Sequence, residues 1–233
     1  MKQSSKIFYY FSNREDGNLA FHVQEKKEHV TRRHKHLAEK LNYNYKELVH
    51  MRQIHSDKVV YVDENFNFYN PPECDALITD KKMLPLMVMV ADCSAVLFYD
   101  KEREIIAVAH AGRAGAFANI IQNVIDTMHT QFHSQAKNIS VEIGAAICQN
   151  CYEVGRDLYE KAQALSFTYA CEKKDMKYYL NIRKILHQQL INSGVLEENI
   201  VISKECNSCN TQKYYSYRAE GLTGRFAGVI MLK

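Results

Sequence analysis

Two short apolar runs in this chain each lead to a residue that binds soft metal ions. Residues 86–90 (LMVMV) are followed, after Ala-Asp, by Cys93, and residues 105–109 (IIAVA) lead directly to His110. Such a run is too short to span a membrane or to form a full helix, and it is typical of a strand buried on both faces. Residues 95–99 (AVLFY) lie between the two runs and predict a third strand.

The expected arrangement of these strands brings the two ligand-type residues together. In an up-down-up meander the first and third strands point the same way, so their ends meet at one edge of the sheet. The thiolate of Cys93 and the imidazole of His110 would then converge. Such a pair can bind a metal ion or act as a nucleophile with its base.

Composition and charge exclude several classes of function. The chain has 233 residues, three prolines and no linker-like tract, which predicts a single domain over residues 1–233. A formal charge of +3 without a basic stripe predicts no nucleic-acid partner. The first residues lack the apolar core of a signal peptide and no window reaches the length of a membrane span, so a soluble cytoplasmic protein without a membrane partner is expected. The seven cysteines are expected to be thiols or metal ligands rather than disulfides.

Hydrophobic periodicity predicts an α/β or α+β fold with a mixed sheet. Helices are predicted over 28–41, 116–132, 155–165 and 182–191, and further strands over 59–63, 140–144, 200–202 and 226–232. Because the strands come in runs between helices, a mixed β-sheet is favoured over a doubly wound parallel one. Residues 110–115 (HAGRAG) join a strand to a helix, and their two glycines would let the backbone approach an anion there.

Several motifs, taken in their order along the chain, resemble one protein family. They are residues 17–23 (GNLAFHV), 53–55 (QIH), 74–79 (CDALIT), 90–93 (VADC), 109–112 (AHAG), 151–155 (CYEVG), 215–218 (YSYR) and 223–225 (TGR). Their ordered set resembles the YfiH or laccase-domain family, also called the polyphenol oxidase family. The resemblance implies an α+β fold, a layered sandwich of helices around mixed β-sheet.

The resemblance also implies an activity and a cofactor. It implies a purine nucleoside phosphorylase that acts on adenosine, inosine and methylthioadenosine, has adenosine deaminase activity and holds one zinc ion. The zinc ligands would correspond to His55, Cys93 and His110. Three nitrogen and sulfur ligands leave one tetrahedral position open, as in catalytic zinc sites. Purine nucleosides and phosphate are therefore the expected partners of a monomer or homodimer.

The same resemblance indicates residues that would bind substrate. Asn18 corresponds to a family residue that reaches the substrate pocket, and Gln53 is expected to bond a purine edge or a ribose hydroxyl. Ser216 and Arg218 lie in a segment near the family site, and a hydroxyl with a guanidinium suits phosphate. Asp92 has two open interpretations, as a catalytic carboxylate that orients a metal ligand or as a cap at the end of a strand.

Two departures from the family pattern concern anion binding. The family reads His-Ala-Gly-Trp-Arg-Gly where this chain has Arg113 and Ala114, so Arg113 is a candidate substrate ligand from a shifted position. The Asn-Arg pair of the family's first helix falls on Arg33 and His34, which makes Arg33 a second candidate. Neither change touches the three expected zinc ligands.

Four other cysteines form two Cys-x-x-Cys pairs, Cys148 with Cys151 and Cys206 with Cys209. Together they would suit a structural metal site. The gap between Cys151 and Cys206 is much longer than in a zinc ribbon, so buried free thiols are the preferred interpretation.

Three other functions stay open. With copper in place of zinc the chain would be a phenol oxidase, although the number and spacing of its histidines do not fit a multicopper enzyme. The altered segment at Arg113 allows a zinc-binding protein without turnover. Cys93 and His110 as nucleophile and base would instead make a cysteine hydrolase or amidase.

Overall fold

The computed structural model of the chain describes residues 6–233. Its helices are α1 (Lys27–Leu41), α2 (Arg113–Phe117), α3 (Ile120–Phe132), α4 (Arg156–Ala164), α5 (Ile182–Asn192) and α6 (Tyr217–Glu220). Its strands are β1 (Ile7–Phe11), β2 (Val59–Tyr61), β3 (Ala76–Thr79), β4 (Leu86–Val90), β5 (Ser94–Asp100), β6 (Ile105–Ala111), β7 (Ile139–Ile143), β8 (Glu153–Val154), β9 (Cys171–Lys174), β10 (Lys177–Leu180), β11 (Ile200–Ile202) and β12 (Phe226–Leu232). Within residues 6–233, none of the helices combines the length and apolar character needed to cross a bilayer.

The strands form two large sheets and one small one. The largest sheet has the order β11-β7-β5-β6-β3-β2, the second β1-β12-β4, and the small sheet β8-β10-β9. In the largest sheet β2 pairs with β3 and β7 with β11 in parallel, whereas the other neighbours are antiparallel. The largest sheet is therefore mixed, as predicted.

The two large sheets pack face to face between layers of helices. Side chains of β5 alternate between the two faces, so that Phe98 packs with α3 and α5 and Leu97 packs with the second sheet. The opposite face of the second sheet, including Met87, packs against α1. This arrangement confirms the expected layered α+β sandwich. It also explains the apolar runs, since β4, β5 and β6 are covered on both faces.

The structure corrects the expected three-stranded meander. β5 and β6 are antiparallel neighbours, but β4 pairs with β12 in the other sheet. The chain changes sheets in the turn between β4 and β5, where Asp92 has a φ of 86°. Cys93 and His110 still come together, because β4 packs on the sheet that contains β6.

The helix predicted over 116–132 is two helices. α2 ends at Phe117 and α3 begins at Ile120. Between them Asn119 adopts the left-handed conformation, with φ 62°, which asparagine tolerates better than most residues. The break leaves α2 as a short separate helix directly after β6, next to His110.

The other predicted helices and strands are present with bounds shifted by a few residues at most. The prediction missed β1, β3, the whole small sheet and α6. The missed elements of the small sheet and α6 have only two to four residues each, too few for a periodic pattern to be visible.

Candidate functional site

His55, Cys93 and His110 form a compact cluster although they lie on three separate segments. One ligand atom of each side chain lies within 4.8 Å of the others. His110 is near the end of β6, Cys93 is in the turn that precedes β5, and His55 lies in the loop before β2 with a φ of 58°. The structure therefore brings together the three residues predicted to hold a metal.

A buried carboxylate, Asp75, holds two of these three residues in place. It accepts a hydrogen bond from Nδ1 of His110 at 2.8 Å and from the backbone N–H of His55 at 3.1 Å. It also accepts from the backbone N–H and the hydroxyl of Ser56, at 2.6 and 2.8 Å. A carboxylate on one ring nitrogen fixes the tautomer and leaves the other nitrogen for a metal.

Asp75 is not among the site residues predicted from the sequence. The available signal was its place in the 74–79 motif, directly before β3, which is the antiparallel neighbour of β6. That pairing puts the backbone of Asp75 next to His110, whose N–H donates to the Asp75 carbonyl at 2.8 Å.

The charges of these groups depend on one another. Burial raises the pKa of the Cys93 thiol, but His110 and His55 outweigh it and lower the pKa to about 6. Burial lowers the pKa of His110, but the Cys93 thiolate and Asp75 outweigh it and raise the pKa to about 9. Burial also raises the pKa of Asp75, and its hydrogen bonds from His110 and Ser56 outweigh this and lower it to about 2.

This donor set fits a metal ion such as zinc. Thiolate is the form of cysteine that binds metals, and a low thiol pKa makes it available near neutral pH. Two imidazoles and one thiolate are ordinary zinc ligands, and three of them leave one tetrahedral position for water or substrate. Binding of a metal at His110 would displace a proton from the imidazole.

Gly112 makes room for the sulfur of Cys93. A Cβ atom built at this glycine would lie 2.6 Å from the sulfur, far inside contact distance. The glycine is the N-cap of α2, so the predicted junction between a strand and a helix is confirmed. The second glycine, Gly115, is buried against the backbone carbonyl of Ser56, where a Cβ would approach to 3.3 Å. Both glycines thus serve the packing of the cluster.

A cavity of about 800 Å³ opens onto the three-residue cluster. Its volume is that of a site for a small organic molecule. The lining combines the apolar side chains Phe21, Met51, Met89 and Ile147 with the polar or charged side chains His22, Arg52, Tyr152, Tyr217, Arg218 and Arg225. The cavity can therefore hold a ligand with an aromatic part and an anionic part.

Two of the predicted substrate residues, Gln53 and Arg218, line this cavity. The amide of Gln53 pairs with the backbone of Met89, donating to its carbonyl at 2.8 Å and accepting from its N–H at 3.1 Å. Arg218 donates to the carbonyl of Glu153 at 2.8 Å and lies over the Tyr152 ring, 5.3 Å from its centroid. Gln53 thus fixes the cavity wall, and Arg218 is held at its rim.

Asn18 and Arg33 lie behind the lining rather than in it. Asn18 is buried, and its amide donates to Ala20 and Glu25 and accepts from the N–H groups of Ala20 and Arg225. These four bonds use the full capacity of the amide group. Arg33 forms an ion pair with Glu25 at 2.7 Å. Asn18 therefore holds the backbone of Arg225, the last residue of the 223–225 motif, which does line the cavity. A direct contact of Asn18 or Arg33 with substrate stays a prediction.

Asp92 and Ser216 act together on the segment that carries Arg218. The Asp92 carboxylate accepts from the Ser216 hydroxyl at 2.6 Å, from the Asn207 amide at 2.9 Å and from the backbone N–H of Arg218 at 2.6 Å. Ser216 also caps α6. The carboxylate that accepts from His110 is thus Asp75 and not Asp92. A catalytic role for Asp92 stays a prediction.

Arg113 lies close to the cluster on a different wall. It lines a small cavity of about 40 Å³ together with Cys93, Gly112 and Tyr152. Its guanidinium carbon is 5.8 Å from the centroid of the Phe117 ring. Arg113 therefore shares a small cavity with Cys93 without lining the larger one, and its role in binding substrate stays a prediction.

The structure brings the two Cys-x-x-Cys pairs into one cluster, and their thiols are half-buried or exposed rather than buried as expected. The four sulfur atoms of Cys148, Cys151, Cys206 and Cys209 lie within 4.8 Å of one another, and Cys209 is exposed. The cause is the sheet topology. β7 and β11 are parallel neighbours, so the segments that follow them leave the sheet side by side, and each carries one pair. The long gap in the sequence is therefore no obstacle to a four-cysteine cluster.

Comparisons with known proteins cover nearly the whole chain. A family model described as "Multi-copper polyphenol oxidoreductase laccase" matches residues 5–233. A purine nucleoside phosphorylase of Campylobacter jejuni is 34% identical over 79% of this chain and 77% of the relative, and one of Clostridium acetobutylicum is 31% identical over 99% and 94%. An adenosine deaminase from an unknown prokaryotic organism is 31% identical over 83% and 78%. The crystal structure of the hypothetical protein YfiH from Bacillus licheniformis superposes with a TM-score of 0.92 at 28% identity, covering 97% of this chain and 93% of that one.

Proposed function

Because the chain belongs to the laccase-domain family that includes YfiH, we propose that it is a zinc-dependent purine nucleoside phosphorylase with adenosine deaminase activity. It would convert adenosine, inosine or methylthioadenosine and phosphate into the free base and the 1-phosphate of the sugar. The observation that carries this proposal is the open cluster of His55, Cys93 and His110 at a cavity with an apolar wall and three arginines. The names of the relatives supply the class of substrate.

His55, Cys93 and His110 would hold the zinc ion. When bound, zinc supplies a Lewis acid and lowers the pKa of water toward neutrality, which suits the deaminase reaction. Asp75 fixes the ring of His110 and the backbone of His55, so the donor atoms are oriented before a metal arrives. The proposal therefore assigns Asp75 the positioning role that the sequence suggested for Asp92.

The remaining side chains of the cavity would bind the substrates. Arg218 and Arg225 carry the charge expected for a phosphate site, and guanidinium groups suit phosphate because they donate two parallel hydrogen bonds. Burial, with a smaller contribution from Arg225, lowers the pKa of His22, so the neutral imidazole can bond the purine or the ribose. Phe21 and Met89 offer an apolar surface to the base.

Product analysis tests this proposal. Zinc-loaded protein is incubated with adenosine, with and without phosphate, and adenine, inosine and hypoxanthine are separated by chromatography. Phosphate-dependent adenine would support the phosphorylase, and phosphate-independent inosine would support the deaminase. Cys171→Ser is a matched control with full activity expected, since this half-buried thiol lies outside both metal-ligand clusters.

Other outcomes favour the alternatives. Equilibrium binding of adenosine without either product would indicate a binding protein that lacks turnover. Oxygen uptake with a phenolic substrate after copper loading would support the oxidase that the family description names.

A further inference from the structure

We propose that Cys148, Cys151, Cys206 and Cys209 hold a second metal ion, a structural zinc that joins two loops at the rim of the cavity. This inference goes beyond the proposed function and does not depend on it. The four thiols are separate from the cluster of His55, Cys93 and His110, and they supply a complete set of ligands without water or substrate.

The distances between the sulfur atoms match a single tetrahedral ion. A zinc–sulfur bond of about 2.3 Å places the sulfurs of a tetrahedral site about 3.8 Å apart. The sulfur of Cys209 lies 3.3 Å from that of Cys151 and 3.9 Å from that of Cys148, and all four lie within 4.8 Å of one another. These separations are too small for an iron–sulfur core with several irons between the thiolates, and too large for a disulfide bond of about 2.05 Å.

Each Cys-x-x-Cys pair lies in a tight turn that directs its two thiols to one side. The N–H of Cys151 donates to the carbonyl of Cys148 at 3.1 Å, and the N–H of Asn210 donates to the carbonyl of Cys206 at 3.1 Å. The turns also meet directly, since the backbone N–H of Cys148 donates to the sulfur of Cys206 at 3.2 Å. Such a bond stabilises a thiolate, which is the form a metal requires.

Two arginines offset the negative charge of such a centre. Four thiolates around one divalent ion leave a net charge of −2. Arg218 donates to the carbonyl of Cys151 at 3.4 Å, and Arg183 donates to the carbonyl of Glu205, next to Cys206, at 3.2 Å. Their guanidinium groups therefore lie close to both halves of the cluster.

The centre would fix the cavity rim. Cys151 is followed by Tyr152, which lines the cavity, and the second pair encloses Asn207, whose amide donates to Asp92. Asp92 in turn holds the N–H of Arg218. A metal joining the two turns thus immobilises the segment that carries Arg218 without touching the substrate itself.

Metal counting on the full chain tests the proposal. Protein purified under reducing conditions is analysed by inductively coupled plasma mass spectrometry. The wild type and Cys171→Ser are expected to carry two zinc ions, and the double variant Cys206→Ser with Cys209→Ser one. Cys93→Ala is also expected to carry one, and it reports on the other cluster. An unchanged zinc content in the double variant, or iron in place of zinc, overturns the proposal whether or not the protein turns over nucleosides.

Thiol alkylation keeps the test valid if the double variant does not fold. N-ethylmaleimide is added to the wild-type protein before and after zinc chelation, and the labelled cysteines are identified by mass spectrometry. We expect the four thiols to be protected until the chelator is added, although Cys209 is exposed. Rapid labelling of Cys209 in the zinc-loaded protein, or a disulfide within the cluster before reduction, would contradict a metal centre.

Discussion

The two clusters of metal-ligand side chains differ in where they lie and in how many ligands they offer. His55, Cys93 and His110 are held close to strand ends, with the buried carboxylate of Asp75 behind them and a large cavity in front. The four-cysteine cluster lies in two surface turns and has four ligands of one kind. Three ligands leave a position for chemistry, whereas four close the coordination sphere.

The comparison separates the features that indicate activity from those that do not. A thiol alone does not, since both clusters contain thiols. The first cluster has in addition a cavity and a buried carboxylate that orients one of its imidazoles, and each of these would be unnecessary in a site that only joins two segments. The two clusters should therefore respond in opposite ways to loss of one ligand, one in turnover and the other in stability.

Loss of a ligand from the first cluster should have the largest effect. In Cys93→Ala we expect turnover of adenosine to fall by at least about 100-fold, because the two remaining imidazoles seldom hold zinc. One zinc ion should be lost while the four-cysteine centre keeps its own. The measurement is phosphorolysis together with metal content, and His110→Ala should behave alike. Retention of zinc stoichiometry in both variants would refute the assignment of the first site.

Removal of the carboxylate behind the first cluster should have an intermediate effect. Asp75→Asn keeps the shape of the side chain but removes its charge, and we expect a loss of about 10- to 100-fold in zinc affinity or activity. In the metal-free variant the pKa of His110 should also fall, because Asp75 helps to raise it. The titration of the His110 ring, followed by NMR, measures this shift.

A matched control is Asp100→Asn. Asp100 lies on β5 and, like Asp75, is fully buried. Its carboxylate accepts hydrogen bonds from the backbone N–H groups of Glu102 and Arg103, in the turn that leads away from the strand. Its replacement should leave zinc affinity unchanged. Equal losses in the two variants would mean that Asp75 acts through the stability of the fold rather than by positioning His110.

The layers of the fold and three residues of the first cluster were predictable from the sequence. The apolar runs identify β4, β5 and β6 because a strand covered on both faces has no polar positions. Their partners were not predictable, since β4 pairs with β12 from the far end of the chain. Pairing between distant segments depends on the packing of the whole sheet and leaves no local pattern.

The contacts around the first cluster were less predictable than its three members. Asp75 has no motif of its own, and its function arises from the pairing of β3 with β6. The long gap between the two Cys-x-x-Cys pairs argues against a cluster in the sequence, but the parallel pairing of β7 and β11 brings the pairs together. Asn18 and Arg33 are predicted substrate ligands, but the sequence does not reveal their hydrogen bonds. Asn18 accepts from the N–H of Arg225, and Arg33 donates to the carbonyl of Asn18 and to Glu25.

Loss of a ligand from the four-cysteine cluster should affect stability more than activity. In Cys148→Ser we expect Tm to fall by about 5 °C or more, since a structural metal contributes to folding and each kcal/mol shifts the Tm of a chain this long by about 2–4 °C. Turnover at 25 °C should stay within a few fold of the wild type. Differential scanning calorimetry and the phosphorolysis assay measure the two quantities. If Cys148→Ser has the same Tm as the wild type, as the control Cys171→Ser should, the cluster holds no structural ion.

Acid should release metal from both clusters. The effect of acid on the stability of the fold itself is therefore better followed at a residue outside them, and His34 is such a residue. His34 is fully buried on α1, where its Nε2–H donates to the carbonyl of Leu19 at 2.8 Å and its ring stacks on Phe21 of the cavity wall. Burial lowers the pKa of His34 to about 4. The pKa of His34 is thus shifted in the opposite direction to that of His110, which a carboxylate and a thiolate raise.

The sign of the effect follows from the proton balance of folding. Above the pKa of about 6.5 of an unfolded histidine, His34 is neutral in both states and does not contribute. As pH falls from about 6.5 toward 4, only the unfolded state gains the proton, so the free energy of unfolding decreases, by about 1 kcal/mol at pH 5.5.

His34→Gln keeps a donor for Leu19 but cannot titrate, so between pH 7.5 and 5.5 it should lose about 1 kcal/mol less than the wild type in urea unfolding. His36→Gln, on the exposed side of the same helix, should lose as much as the wild type. All three proteins contain both clusters, so the effect of metal release cancels when their losses of unfolding free energy are compared. Equal losses in all three would show that His34 does not contribute to the loss of stability at low pH.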